Sequence, residues 1–306
     1  MTATTTQPPA PPRPPGHRRR PARGRPGGSL RRMRQATPLT YFALILTFVL
    51  SVFPLWWMFV VATRTTTAAS QFPPVLVPGG NFLNNVGRLF ENTSANFMTG
   101  MMNSIIASTT VAVSVVFFCS LAGFALAKLR FKGRAFFTVA VVITMAVPVQ
   151  IGLVPLLILM DWIGWRGELP AVIVPFMVSG FGVFMMRQYV LQTIPDDLME
   201  AARIDGCSTF RIYWSVVLPA LRPAMVVLGL LTFMQTWNEF IWALAVLTPE
   251  NPTVQFSIQQ LNQSAFARDF ALMFTGATFA TLPLLIIFFV FGRQLVGRIM
   301  EGAIKA

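Results

Sequence analysis

Six runs of mostly apolar residues divide the chain, at roughly 40–62, 101–127, 136–160, 170–190, 222–247 and 272–295, and each reaches the ~20 residues a helix needs to cross a bilayer core. None shows the alternating pattern of about 10 residues expected of a barrel strand. The pattern predicts an all-α integral membrane protein with six transmembrane helices. Pro148, Pro155 and Pro175 lie inside the third and fourth runs. Each removes a backbone donor, so kinked helices around a gate are expected there.

The polar stretches differ sharply in charge. Residues 1–36 are rich in Pro, Arg and Gly and contain no apolar run, so they form a tail that is expected to stay disordered. The run after it is too long for a signal-peptide core and lacks a small-residue cleavage site, which makes it a retained span. Of the 24 Lys and Arg residues, 20 fall in four regions: the tail, the second-to-third connection (Lys128, Arg130, Lys132, Arg134), the fourth-to-fifth connection (Arg187, Arg203, Arg211, Arg222) and the C-terminus (Arg293, Arg298, Lys305). The alternate connections hold only Arg64, Arg88, Arg166 and Arg268. By the positive-inside rule the first set faces the cytoplasm, and both termini with it. The net charge of +13 then reads as topology and attraction to the anionic lipid bilayer, with no nucleic acid implied.

Composition excludes several kinds of chemistry. The chain is 54% hydrophobic and only 11% charged, far from a soluble domain. It carries no GxxxxGK[ST] phosphate loop, so it cannot itself hydrolyse ATP. Its one histidine, His17, lies in the tail, and Cys119 and Cys207 are isolated thiols, which leaves no candidate metal ligands, catalytic residues or cofactor site. The expectation is a protein that is not a self-contained enzyme.

One cytoplasmic segment stands apart. Residues 200–223 read EAARIDGCSTFRIYWSVVLPALRP, a charged stretch of helical composition between two apolar spans. Good helix formers lead to Asp205-Gly206, a turn pair, and Ser208 can cap a second short helix before Leu218-Pro219 breaks it. The result is a helix-turn-helix elbow. Met199, Ala202 and Ile204 supply small or apolar contacts, Ala201 and Ala202 allow close approach by another protein, and Glu200, Arg203 and Asp205 can pair with its charges. An amphipathic elbow resting on lipid headgroups is the alternative.

Here the sequence resembles the permeases of bacterial binding-protein-dependent ABC importers. Glu200-Ala201-Ala202, three residues, Gly206, nine residues, Val216, one residue and Leu218-Pro219 fit their EAA-x3-G-x9-I-x-LP loop, with Val216 for Ile as the one departure. NSIIAS at 103–108, LAGFALAKLRFKGR at 121–134, MRQYVLQTIPDDL at 186–198 and TWNEFIWAL at 236–244 look like the carbohydrate branch. Ala122-Gly123-Phe124-Ala125 stands where the family more often has AxYA. GRIMEGAIKA at 297–306 is similar to the tail of the second permease subunit of maltose-type systems.

The resemblance implies a type I ABC importer transmembrane-domain fold in a bacterial inner membrane. It divides the chain into the tail 1–36, a first helix and external loop 37–97, a core 98–295 with the coupling loop 196–219, and a C-terminal tail 296–306. Glu200, Ala201, Ala202, Asp205, Gly206, Leu218 and Pro219 then form the segment that docks on a separate ATPase subunit. A second homologous permease and an extracytoplasmic solute-binding protein complete the system, and a sugar or oligosaccharide is the cargo, with a polyol or glycerol phosphodiester as the alternative.

Polar residues at membrane depth mark a candidate path. Glu239 is an ionisable group inside an apolar run, where such groups face a cavity or a partner helix. At helical spacing Thr232, Gln235, Glu239 and Trp242 share a face suited to sugar hydroxyls and CH surfaces, with Asn238 beside them and Gln150 on the third run. A structural pairing of Glu239 is the competing reading. Thr275, Thr278 and Thr281 are expected to bond back to their own helix. In the polar loop 248–271, Gln259, Gln260 and Asn262 are candidate contacts for the binding protein or ordinary solvated residues. A self-sufficient secondary transporter or channel is the rival function, and it predicts internal repeats and buried coupling carboxylates, of which only Glu239 offers itself.

Overall fold

The computed structural model describes residues 37–262 and 268–304, and the side chains of Val149 and 293–304 are left aside. The tail 1–36 lies outside the described residues. The described chain is helical: α1 Pro38–Ala62, α2 Phe82–Glu91, α3 Phe97–Lys128, α4 Arg134–Ala146, α5 Leu153–Trp162, α6 Gly180–Thr193, α7 Asp196–Ile204, α8 Thr209–Ile212, α9 Leu218–Trp237, α10 Ile241–Val246, α11 Val254–Leu261 and α12 Phe270–Ile304, with single helical turns between some of them. Among the described residues, five segments are long and apolar enough to cross a membrane, and a bent pair would bring the number to six if it crosses as one span. The described residues up to Phe53 and those from Pro54 on fall into separate compact units. In the first, residues 38–53 are exposed helix, as an apolar surface meant for lipid would be.

The third and fifth of the expected spans take a different form, and the fourth carries a 3-10 turn, Val174–Phe176, ahead of α6. The third run is not one helix, because α4 and the segment Gln150–Trp162 meet at 85°. Pro148 stands at the break with extended backbone (φ −61°, ψ 127°), since its ring excludes the preceding turn. The fifth run is displaced. Helical structure begins at Thr209 and passes through a π-turn, Tyr213–Val217, into α9 without the break expected at Leu218-Pro219. A π-turn widens the ladder so that Leu218 N–H reaches Tyr213 C=O, which makes room for the Pro219 ring. At the other end α9 stops at Trp237: Asn238 N–H still reaches Met234 C=O at 3.2 Å, with the Asn238 side chain donating to the same oxygen at 2.8 Å, but Glu239 N–H turns to Thr236 C=O at 3.2 Å and leaves the α-ladder. The expected boundary at 295/296 also falls inside the continuous backbone of α12.

α3 is the packing centre of the larger unit. It lies along both α6 and α9, and Val111, Val115, Cys119 and Phe124 are buried against Val183, Met186 and Val190 of α6 and Leu221 and Leu228 of α9. Backbones approach closely through glycine, as in membrane helix pairs generally. A Cβ on Gly123 would stand 2.7 Å from Arg187 N, and one on Gly182 would stand 2.8 Å from Cys119 Sγ. Phe124 fills its pocket with its ring 5.6 Å from that of Tyr213. A second cluster gathers Leu89, Phe97, Trp237, Val254, Leu261 and Leu272, and a third Met160, Ala171, Trp242 and Val246. Thr275, Thr278 and Thr281 each donate to the carbonyl four residues back at 2.7 Å, as expected of a threonine strip.

Candidate functional site

The elbow is built from α7, a glycine turn and α8. Pro195 precedes α7 in extended conformation, and Asp196 and Asp197 occupy the first turn, where the helix dipole favours negative charge. The helix ends in a Schellman turn: Cys207 N–H reaches Ala202 C=O and Gly206 N–H reaches Arg203 C=O, both at 3.0 Å. Gly206 carries φ +76°, a left-handed conformation open to glycine at little cost. Ser208 then caps α8 by accepting from Arg211 N–H at 3.3 Å.

What the elbow presents differs from the expectation in one respect. Glu200, Ala201, Arg203, Asp205 and Gly206 are exposed. Met199 and Ala202, three apart on the inner face of α7, are instead buried at 4% and 9% exposure in the core made with α3 and α6. They hold the elbow to its own chain and cannot meet a partner. Ile204 does reach outward at 87% exposure, and Phe210, unmarked by the sequence reading, joins it at 64%. Its one signal was a large aromatic residue in a polar stretch just past the turn. Leu218 is half-buried and Pro219 exposed on the helix that follows.

The elbow is pinned to α3 at two points. Lys128 Nζ donates to Asp196 Oδ1 at 2.6 Å, and the Tyr213 and Ser120 hydroxyls share a buried bond of 2.7 Å. The hydrogen bond and charge of Lys128, with Arg130 and Arg134 nearby, hold the exposed Asp196 carboxyl below its usual range. Arg134 turns back to cap the end of α3, donating to the carbonyls of Leu126 and Ala127 at 2.9 Å.

The candidate path residues do not share one helix face. Thr232 is half-buried and Gln235 exposed on α9, whereas Asn238 caps that helix and Glu239 lies in the break after it. Glu239 Oε1 accepts from Trp242 N–H at 2.9 Å, an acidic start to α10. Trp242 is buried and donates its indole N–H to Ala171 C=O at 3.0 Å, so its side chain packs within its own chain. Gln150 is exposed in the short turn at the bend of the third span.

A family model described as binding-protein-dependent transport system inner membrane component matches residues 119–301. The chain belongs to that family. The arabinooligosaccharides transport system permease protein AraQ of Halalkalibacterium halodurans is 30% identical over 89% of this chain and 99% of its own length. The sn-glycerol-3-phosphate transport system permease protein UgpE of Salmonella typhi is 32% identical over 71% and 79%. In fold, the chain is similar to a solved bacterial ABC transporter involved in the import of the acidic polysaccharide alginate, with a TM-score of 0.72 over 83% of this chain and 94% of that one at 22% identity. This protein is therefore a multi-pass ABC importer permease subunit, and the fold is that of type I importer permeases.

At the end of the permease opposite the elbow, the polar stretch 248–262 proves to be packed structure rather than open loop. α11 buries Val254, Phe256, Ser257 and Leu261, and Gln259, Gln260 and Asn262 are half-buried, with Asn262 N–H closing the helix on Gln259 C=O at 3.0 Å. Residues 263–267 lie outside the described residues. Before α12, Asp269 bonds Thr66 at 2.7 Å and pairs with Arg88. Burial pushes the Asp269 carboxyl up, but the Leu272 N–H, Thr66 and Arg88 together outweigh it and hold the group below its usual range.

Proposed function

We propose that this permease forms half of the membrane pathway for a sugar or oligosaccharide. Its elbow docks on a separate ATPase subunit at the cytoplasmic face, both termini lie on that face, a second homologous permease supplies the other half of the path, and an extracytoplasmic binding protein delivers the cargo. The observation that carries the reading is the elbow's outer surface: Glu200, Arg203 and Asp205 are exposed together with Leu198, Ile204 and Phe210 on a segment whose inner face is locked into the core. An elbow made for headgroups would need a continuous apolar side with basic flanks. This one mixes both charge signs among its exposed apolar residues, which suits a protein cleft.

The candidate path and the relatives' names support a sugar cargo. Gln150, Thr232, Gln235, Asn238 and Glu239 offer hydrogen-bonding groups and one carboxylate but no cation. That set suits a neutral polyhydroxylated cargo like that of the arabinooligosaccharide relative better than the anion named for the glycerol-3-phosphate relative. Gln259, Gln260 and Asn262 at the outer end of the packed loop are proposed to face the binding protein.

The test is to tag the chain in its own cell, identify what co-purifies, and assay the reconstituted assembly. A Walker-motif ATPase and a second six-span protein are expected, with hydrolysis stimulated by loaded binding protein and by arabinooligosaccharide rather than sn-glycerol 3-phosphate. A chain that emerges alone and moves solute without ATP would replace the importer with a secondary transporter.

A further inference from the structure

We propose that α3 is a rigid relay joining the elbow to α11, with Lys128 and Ser120 as positioning residues at one end and Asn103 and Ser104 at the other. The proposal rests on the importer reading, which gives the elbow an ATPase partner and the far loop a binding protein. Its basis is that one helix holds both. At one end Lys128 and Ser120 bond Asp196 and Tyr213, on either side of the elbow's turn. At the other end Asn103 Nδ2 donates to Asn251 Oδ1 at 3.0 Å and to Pro252 C=O at 2.9 Å. Ser104 Oγ accepts from Val254 N–H, the start of α11, at 2.8 Å.

Close packing reinforces the outer clasp. Gly100 lies so near α11 that a Cβ would overlap Ser257 Oγ and come to 3.0 Å from Thr253 C=O. Asn96, just before α3, donates to Glu250 C=O at 3.1 Å. The bonds of Asn103 to Pro252 C=O and of Ser104 to Val254 N–H are buried, and such bonds hold one geometry, because breaking one strands its partner away from water.

The helix between the clasps is built to be stiff. Phe97–Lys128 runs 32 residues, about 48 Å at 1.5 Å per residue, without a proline. Each of the other candidate spans contains at least one: Pro54, Pro155, Pro175, Pro219 and Pro283 among them. Kinks in helices arise mainly at such residues. α3 is also the most enclosed span, with 44% of its apolar window buried against 28% or less for the other unbroken ones. A displacement of the elbow therefore carries α3 with it and arrives at α11, while the proline-bearing spans are free to bend around it.

The test uses the full assembly of permeases, ATPase and binding protein in proteoliposomes, reading basal and binding-protein-stimulated ATP hydrolysis. Lys128→Met and Asn103→Leu, at opposite ends of α3, are each expected to cut the stimulation ratio about 5-fold or more, the low end of ordinary coupling factors. Basal hydrolysis and ATPase co-purification should stay unchanged, and Lys128→Arg should restore stimulation. The double variant should lose no more than the worse single one, because both break the same path; losses that multiply, or a single variant that keeps its stimulation, overturn the relay. Should a variant fail to insert, Thr110→Gly with Val113→Gly softens α3 on its exposed face away from both clasps, and unchanged stimulation there overturns the relay too. A wild-type assembly that the binding protein does not stimulate would instead reject the importer reading itself.

Discussion

α3 and α9 are both long apolar helices at the centre of the same core, yet one keeps the limits of its apolar run and the other does not. α3 spans Phe97–Lys128 where the run is at 101–127, whereas the run at 222–247 yields helical structure from Thr209 to Trp237. The difference lies in residues that hydropathy ignores. α3 has no proline and ends where Arg134 caps its carbonyls. The α8–α9 segment absorbs Pro219 in a π-turn and is cut short where Glu239 N–H turns to Thr236 C=O. Apolar length locates the membrane, while backbone donors and side-chain caps decide where the helix starts and stops.

The largest effects should come from the α7–α8 turn that feeds α9. Gly206→Pro fixes φ near −65° where the turn needs +76°, and it also removes the N–H that closes on Arg203. Uptake and binding-protein-stimulated hydrolysis are expected to disappear while membrane insertion, read by protease protection, persists. Glu200→Lys reverses an exposed charge on the docking surface and should give the same uncoupling without touching the fold. Normal uptake by correctly inserted variants would remove the elbow from the coupling path.

The elbow was legible in the sequence because its signals are local: a turn pair, a cap and charges in an apolar context. Gly206 and Ser208 do what their residue types favour. The path residues were not legible in the same way. Thr232, Gln235, Glu239 and Trp242 share a face only if the helix continues past Trp237, and it ends there as Glu239 N–H turns to Thr236 C=O. The inward turn of Met199 and Ala202 depends on which side of α7 meets α3 and α6, a tertiary fact that small size alone does not reveal. The loop at 248–262 looked solvated from its glutamines, but Val254, Phe256 and Leu261 between them carry the packing.

Next in size is a contrast of glycines on the two helices. Gly123→Ala on α3 brings a Cβ to 2.7 Å from the α6 backbone, which cannot yield without the helices parting. A loss of about 1–3 kcal/mol is expected from such overpacking, read as a lower midpoint of thermal unfolding in detergent. Gly229→Ala on α9 meets only Val116 Cγ2 at 3.3 Å, the tip of a half-buried side chain. Its strain is offset by better helix propensity, so the change should stay within about 0.5 kcal/mol. Equal losses at both sites would erase the distinction between a tightly clasped α3 and a more yielding α9. Tyr213→Phe sits between these, at about 1 kcal/mol, because Ser120 keeps its 2.9 Å bond to Phe117 C=O when the phenol is lost.

The smallest effect concerns the exposed end of the α3 clasp. Lys128 holds the Asp196 carboxyl below its usual range, so the charged pair is complete at neutral pH. A depressed folded-state pKa means the pair's contribution is fully present above the unfolded value of about 3.9 and fades only as pH falls through the lower folded value. Across about pH 6–8 the clasp should therefore be insensitive to protons, and the ratio of wild-type to Asp196→Asn stimulated hydrolysis should be flat over that window. A ratio that changed steeply there would mean that another titrating group governs the junction of α3 and α7, and the Lys128–Asp196 pair would cease to be its anchor.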